Sequence, residues 1–461
     1  MSSATLDELR RLIDGDDAHF VGGCVRDRWM GRPITDVDVV VAADPAQAAR
    51  RLARVTGGAP FPLSEAHGAW RVVLPERTVD ITARRGGDIV ADLGERDFTV
   101  NAMAIPFAGS AERAEVIDPF GGVSDLEAGR LRVVSERVFA DDPLRLLRLP
   151  RIAHELGFEV DEDASRLARR DAHLADRAAG ERIYMEIRRL LAPDHPDAAV
   201  RMLDRLGVLD VILPEAVPMK GCEQSPFHHL DVFEHTLQVL DAVADVAAHP
   251  GHYLPRHEER LAAALAVTVG DELDARAALR LAVLFHDVEK PSTRTISPDG
   301  RIGFMGHDRA GAATAGRILK RWRASTAVSR FCRLLVAEHL RLGFMVPKRP
   351  LDRRAAFRYL RATRPYTDAS VILSLSDRFA TRGVRARQAY MRAHTETAAE
   401  LLDLVEALEA APVEPLLRGD EIAAIAGVDG ARIGELVDAL AEEQAAGTIT
   451  TREEAEAFVR G

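Results

Sequence analysis

Hydrophobic and polar positions follow two periodicities along this chain. Up to about residue 125, short stretches with the two-residue period of a strand exchange with stretches of helical spacing, whereas almost everything after Arg130 is helically spaced and rich in Ala, Leu, Arg and Glu. The pattern predicts an α/β head followed by an all-α remainder. The turn-rich DPFGG at 118–122, the proline-dotted LPEAVPMKGCEQSP at 213–226 and PVEP at 412–415 read as joints. The division expected is a head at 1–125, a helical neck at 126–220, a helical body at 221–400 and a helical tail at 401–461.

The head carries the most informative stretch, HFVGGCVRDRWMGRPITDVDVVVAADP, which reads as an apolar strand, paired glycines, a helix and an alternating strand. Gly22 and Gly23 have no side chains, so the backbone there can approach a triphosphate closely, and the helix that follows offers free N–H groups. No GxxxxGK[ST] pattern occurs, so this is not a P-loop. The two-residue period of ITDVDVVV puts Asp36 and Asp38 on one face of a strand and Val37, Val39 and Val41 on the other. Two carboxylates on one face are hard oxygen ligands suited to Mg²⁺. WRVVLPERTVDITAR reads as a hairpin, with strands at 70–74 and 78–83 about a three-residue turn, and supplies Asp80 as a third carboxylate. Two metals bound by such a cluster would lower the pKa of an attacking hydroxyl and neutralise charge on a departing pyrophosphate, the logic of nucleotidyl transfer. In DDPLRLLRLPRIAHELGF, Asp142, Arg145, Arg148 and Arg151 recur every third residue and are expected on one broad helix face. Asp142 and Arg145 can match the hydrogen-bonding edge of C or A, while Arg148 and Arg151 would face phosphates.

Composition excludes several classes. With 47% hydrophobic and 29% charged residues, the chain is neither disordered nor of low complexity. Cys24, Cys222 and Cys332 form no CxxC pair, so neither a disulfide framework nor a thiolate zinc site is expected, and the usage reads as reducing cytoplasm. The beginning, MSSATLDELRRLIDGDD, is polar, and no apolar run reaches the ~18 residues of a membrane span, so a cytoplasmic protein without a membrane partner is expected. A net charge of −11 opposes a nucleic-acid partner at first sight. Between Lys348 and Arg364, however, cationic side chains are opposed only by Asp352, with Phe357 and Tyr359 interleaved, the pattern of a local RNA-binding patch or a solvated helix face.

The order GGCVRD, DVD, RDFTVNAMAI at 96–105, DPFGG and DDPLRLLR at 141–148 resembles the successive motifs of the class II tRNA nucleotidyltransferase and bacterial poly(A) polymerase family. The resemblance implies a polymerase-β-like head of mixed sheet and helices that joins CTP or ATP to the 3′ end of tRNA. By that resemblance Gly23 and Arg26 hold the triphosphate, Asp36 and Asp38 hold the metals, and Arg96, Asp97 and Asn101 read the ribose. Asp142 and Arg145 act as the nucleotide template. Only ARRGGDIVADLGE separates the Asp80 strand from Arg96, where many family members carry a longer loop, and this resembles enzymes that add only the two cytidines.

Further on, His235 in FEHTLQVL, His286-Asp287 in LAVLFHDVEKP, His307, His339 and Asp377 in LSLSDRF resemble the HD phosphohydrolase signature. The core ligand positions are His235, His286, Asp287 and Asp377, a mixed N/O set for a second, divalent transition metal. Glu289 stands where the HDxGK pattern usually has Gly, which is expected to bring its bulk and charge beside the ligands, and Lys290 is retained. The helical tail resembles the tRNA-gripping tail of HD-bearing members. Complete CCA addition from CTP and ATP is the leading expectation. CC-only addition, A-only addition, poly(A) synthesis, and an HD-type phosphohydrolase whose head only binds RNA remain open.

Overall fold

The computed structural model describes residues 17–34, 36–64, 68–75, 77–107, 116–225, 227–381 and 388–461. Apart from Asp17, the polar N-terminal stretch lies outside the described residues. Two compact units emerge, one of the residues up to Ala179 with Met202–Ile212, the other of Gly180–Arg201 with Leu213–Gly461.

The first unit is built on a six-stranded sheet. Its strands are β1 (Ala18–Val21), β2 (Asp36–Val41), β3 (Ala59–Ser64), β4 (Ala69–Leu74), β5 (Arg77–Ala83) and β6 (Ala104–Pro106), in the order β3-β4-β5-β2-β1-β6. β2 and β5 run parallel, and the other neighbours are antiparallel. The connection from β2 back to the far edge passes through helix α2 (Pro45–Thr56), after α1 (Gly23–Trp29) has joined β1 to β2. Asp44 caps α2 by accepting from the Ala46 amide, Pro45 occupies its first turn, and Gly57 ends it in the left-handed conformation. Its apolar stripe, Ala48, Ala49 and Leu52, is buried, and the helix packs on β4 and β5. Val37 and Val39 of β2, Val72 of β4, and Val79 and Ile81 of β5 are equally buried, which leaves Asp36, Asp38 and Asp80 for the opposite, open face. The hairpin is longer than its sequence pattern predicts: Leu74 pairs with Arg77, so only two residues separate the strands instead of three.

The predicted neck is divided between the units. Helix α3 (Ile89–Gly94) lies in the expected head, and of the neck α4 (Arg145–Leu156) belongs to the first unit. Helix α5 (Gly180–Leu191) belongs to the second, where Tyr184 donates to Asp271 Oδ2 at 2.9 Å and a buried Arg280 donates to the carbonyls of Leu191 at 2.5 Å and Pro193 at 2.9 Å. Gly180 is required there, because a Cβ would lie 2.2 Å from the carbonyl oxygen of Arg321.

The rest of the second unit is helical. Helices α6 (Val232–Ala248), α7 (Ala275–Phe285), α8 (His307–Arg321), α9 (Thr326–Glu338), α10 (Arg353–Thr363) and α11 (Thr367–Ala380) pack around buried Leu240, Leu281, Val283, Ile318, Phe331, Leu335 and Ile372. The long α12 (Gln388–Ala410) runs straight through the boundary expected at 400, and the chain breaks only at the proline-bearing joint after it. Helices α13 (Gly419–Ala426), α14 (Ala431–Ala446) and α15 (Arg452–Arg460) then close on a core of their own, Leu417, Ile422, Leu440, Ile449, Ala455 and Val459.

The basic run at 348–364 is not a free patch. Arg354 meets Glu443 at 2.6 Å, Arg358 meets Glu442 at 3.3 Å, Arg361 meets Asp438 at 2.8 Å, and Arg349 bonds Glu396 at 2.6 Å and Glu400 at 2.9 Å. Acidic residues brought in from α12 and α14 thus neutralise most of it.

Candidate active site

The strand register lines up the head's charged residues. Asp38 pairs across β2–β5 with Asp80, Asp80 pairs across β4–β5 with Arg71, and Arg71 pairs across β3–β4 with Phe61. Residues directly opposite share a face, so these four form one row, with Asp36 and Thr78 in the next. Arg71 clamps Asp80 through two hydrogen bonds of 2.7 Å, and Thr78 donates to Asp36 Oδ1 at 2.7 Å. In this arrangement the ligand atoms of Asp36, Asp38 and Asp80 do not all lie within 4.8 Å of one another, in contrast to the histidine clusters described below. Burial pushes the Asp38 carboxyl up to about 6; Asp80 and Asp36 act in the same sense, against Arg96 and Arg148. A carboxylate crowded by two others fits a divalent cation, which relieves both the desolvation and the repulsion.

Gly22 sits over this row with φ of 74°. A Cβ on it would lie 3.0 Å from Arg96 and 3.2 Å from Asp38 Oδ2, so only glycine leaves the space between them open. Behind Gly23, Arg26 donates to Asn101 Oδ1 at 2.8 Å, Asn101 donates to Asp97 Oδ1 at 3.1 Å, and Arg148 reaches Asp97 Oδ2 at 2.7 Å. Burial alone would raise the Asp97 carboxyl, but Arg148, Asn101 and the Phe98 amide hold it below its ordinary value. Arg96 is turned to Asp92 at 3.1 Å.

The expected helix face at 142–151 is revised. Asp142 is extended, with φ −142° and ψ 100°, and lies ahead of α4, because the residue before a proline, here Pro143, is barred from the helical region. Its Oδ1 accepts from the Leu144 amide at 3.1 Å. Arg145 opens the helix and donates to the carbonyls of Glu95 at 2.6 Å and Val138 at 3.3 Å. Arg148 meets Asp97 instead of standing free for phosphate. Arg151 is buried and turned to Glu155 at 2.8 and 2.9 Å, away from the phosphate-facing position its spacing implies.

In the second unit all six HD-like residues converge. His235 and Asp377 are 2.9 Å apart, His286 Nε2 and Asp287 Oδ2 3.1 Å, and His307 and His339 approach Asp287 Oδ1 at 3.4 and 3.7 Å. Their potential ligand atoms fall into two groups, His235–His286–Asp377 and Asp287–His307–His339. His286, His307 and His339 each turn Nδ1 to a carbonyl three residues earlier, those of Val283, Phe304 and Val336, which aims each Nε2 inward. His286 Nε2 and both Asp287 oxygens are buried without a well-formed hydrogen bond, although Lys290 Nζ lies 2.6 Å from Asp287 Oδ2. Inward nitrogens and orphaned buried oxygens fit a divalent transition metal. Burial raises the Asp287 carboxyl less than His286 and Lys290 lower it, so it is held well below the carboxylate range. Burial drops His339 to about 4, which keeps it a neutral ligand.

Glu289 does not crowd this cluster. Its carboxylate is held by the hydroxyls of Thr314 and Ser292, with Arg317 at 3.8 Å, and so faces α8. Two residues escaped the sequence reading. Arg71 was legible from the hairpin register once Leu74 is paired with Arg77. His228, edge-on to His235 at 4.9 Å and held by burial at about 3, stands in the HH pair just before LDVFEH.

A polymerase-β-like sheet with carboxylates under a glycine turn, joined to a helical HD domain, defines a nucleotidyltransferase. Residues 18–90 and 75–132 match the Poly A polymerase head domain, 157–219 match the probable RNA and SrmB- binding site of polymerase A, and 232–382 match the HD domain. An A-adding tRNA nucleotidyltransferase of Deinococcus radiodurans is 37% identical, with 96% of this chain and 95% of that protein covered. A CC-adding tRNA nucleotidyltransferase of Thermus thermophilus is 36% identical, covering 96% and 93%. A solved CCA-adding enzyme with CTP shares the fold at a TM-score of 0.64 and 19% identity, over 99% of this chain and 94% of that one. The chain belongs to the tRNA nucleotidyltransferase and poly(A) polymerase family. Among the described residues no helix is long and apolar enough to cross a membrane.

Proposed function

We propose that this chain lengthens the 3′ end of tRNA from CTP and ATP, completing CCA. The observation that carries the reading is the placement of Asp36, Asp38 and Asp80 on one open sheet face beneath the Gly22–Gly23 turn. Mg²⁺ held by Asp36 and Asp38 would supply charge neutralisation at the triphosphate and a more acidic attacking hydroxyl. The terminal RNA hydroxyl forms a bond to the α-phosphorus, the bond to the bridging oxygen breaks, and pyrophosphate leaves. Gly22, Gly23 and Arg26 cradle the triphosphate, and Arg96, Asp97 and Asn101 meet the ribose. Asp142 and Arg145 select the base, with Arg148 beside them. The test is incubation with tRNA lacking CCA and single labelled nucleotides, for the native chain and for Asp36→Ala plus Asp38→Ala. Incorporation abolished in the double variant is expected; transfer surviving it removes the reading.

Addition of the two cytidines alone has a specific observation in its favour. The segment after β5 is short and folded, with Asp88 capping α3 and Asp92 accepting from the Arg85 amide at 3.0 Å, and relatives matched along almost their whole length include partial adders. Incorporation of C without A in the same assay selects it.

The histidine cluster supports phosphate-ester hydrolysis as a separate activity of the second unit. Mn²⁺-dependent phosphodiester turnover abolished by His286→Ala, with nucleotide addition intact, is the expected result.

A further inference from the structure

The row that begins at Asp38 and Asp80 does not end at the carboxylates. It continues outward over β4 and β3 through Arg71 and Phe61, and in the neighbouring row through Val73, which pairs with Thr78. Phe61 and Val73 are each 41% exposed, and the Arg71 side chain is 35% exposed. The face is therefore a cationic and aromatic shelf continuous with the carboxylates proposed to hold the reacting end, while the buried face of the same strands is occupied by α2.

We infer that this shelf receives the single-stranded 3′ end of the RNA, Phe61 stacking on a base and Arg71 pairing with a backbone phosphate. The inference rests on the nucleotidyl-transfer reading above. Charge and continuity favour this occupant: a guanidinium forks onto two phosphate oxygens as it forks onto a carboxylate, and an exposed ring stacks any base without reading its edge. The same pairing couples two events. In the free protein the Nε–Nη2 edge of Arg71, the edge that forks onto two oxygens, is spent on Asp80. A phosphate that draws Arg71 away frees Asp80 to join Asp38 and Asp36, so the third carboxylate becomes available only when RNA is in place. Arg71 is a positioning residue in this account, not a catalytic one.

Two readouts on the full-length chain test it, and the failure of either overturns it. The first is steady-state addition with tRNA lacking CCA. Phe61→Ala and Phe61→Leu should each raise the KM for tRNA by about fivefold or more, the low end for one lost stack, with the KM for CTP unchanged. The second is Mn²⁺ binding without RNA, followed through the free-ion paramagnetic signal. Arg71→Ala and Arg71→Lys should bind Mn²⁺ more tightly than the native chain, and adding Asp80→Asn should abolish the gain. A merely structural lesion weakens binding instead. Native-like KM for tRNA in both Phe61 variants, or Mn²⁺ binding unchanged or weakened in both Arg71 variants, overturns the inference while leaving transfer standing. A native chain that extends no RNA overturns the underlying reading and this one with it.

Discussion

Arg26 and Asn101, 75 residues apart in the chain, are joined by a 2.8 Å hydrogen bond, and the other end of the Asn101 amide donates to Asp97 at 3.1 Å. The amide is thereby fixed in orientation, oxygen to the arginine and nitrogen to the carboxylate, linking the helix behind the glycine turn to the segment expected to meet the ribose. Asn101→Ala leaves buried Asp97 a partner short, at a cost of about 1–3 kcal/mol. Urea denaturation should show the lower midpoint, and the KM values for CTP and ATP should rise together.

Arg145 should govern which nucleotide is accepted. Its guanidinium donates to the Glu95 and Val138 carbonyls in the free protein, contacts that hold it at the N-terminus of α4. Arg145→Ala should lose ~1–3 kcal/mol of discrimination and admit U or G, the scale of one bidentate base contact. Arg148→Ala, which breaks the Asp97 ion pair, should weaken all four nucleotides alike. Competition between labelled nucleotides distinguishes a changed ratio from a common factor.

Acid should loosen the first unit through Asp125. This carboxylate is buried and accepts from Thr99 at 2.6 Å, Arg130 at 3.1 Å and Arg132 at 2.9 Å. Burial opposes its ionisation, but Arg132, Thr99 and Arg130 hold it below its ordinary value. A depressed carboxyl contributes stability that is complete above its unfolded value of about 3.9 and is lost as pH falls through the folded one. Thermal unfolding between neutral pH and pH 3 should show this acid-side loss in the native chain and less of it in Asp125→Asn, which starts less stable.

The tail should respond to salt before the rest of the second unit. Its ion pairs with α10 are about a third to a half exposed on the arginine side, so each contributes at most about 1 kcal/mol. At ~1 M salt the screening length falls to about 3 Å. Amide exchange in α13–α15 should accelerate there while α6 and α7 stay protected, and exchanging the charges of Arg354 and Glu443 together should restore what either reversal alone removes.

The head was largely legible because its signals are local. The glycine pair, the alternation in DVDVVV and the hairpin each depend on neighbours in sequence, and they placed Asp36, Asp38 and Asp80 on their strands. The departure of Asp142 from the helix was also local, written in Pro143, but masked by the three-residue recurrence of the arginines. What escaped was long-range. Nothing near residue 289 shows that Thr314 will hold its carboxylate, and nothing near 354–361 announces the acids of α14 some 80–90 residues on. Helical spacing is the same on both sides of Gly180, so the neck reads as one piece in sequence, and only packing assigns α5 to the second unit.

Strand β3 forms one margin of the sheet, and it carries Pro60 and Pro62 among six residues. A proline has no amide hydrogen to offer, so a second polypeptide laid along that margin would find two rungs of its ladder missing. The two prolines thus oppose strand-to-strand pairing of two heads along the border where Phe61 is uncovered. Replacing both prolines by valine should increase concentration-dependent self-association relative to the native chain, read by sedimentation or light scattering.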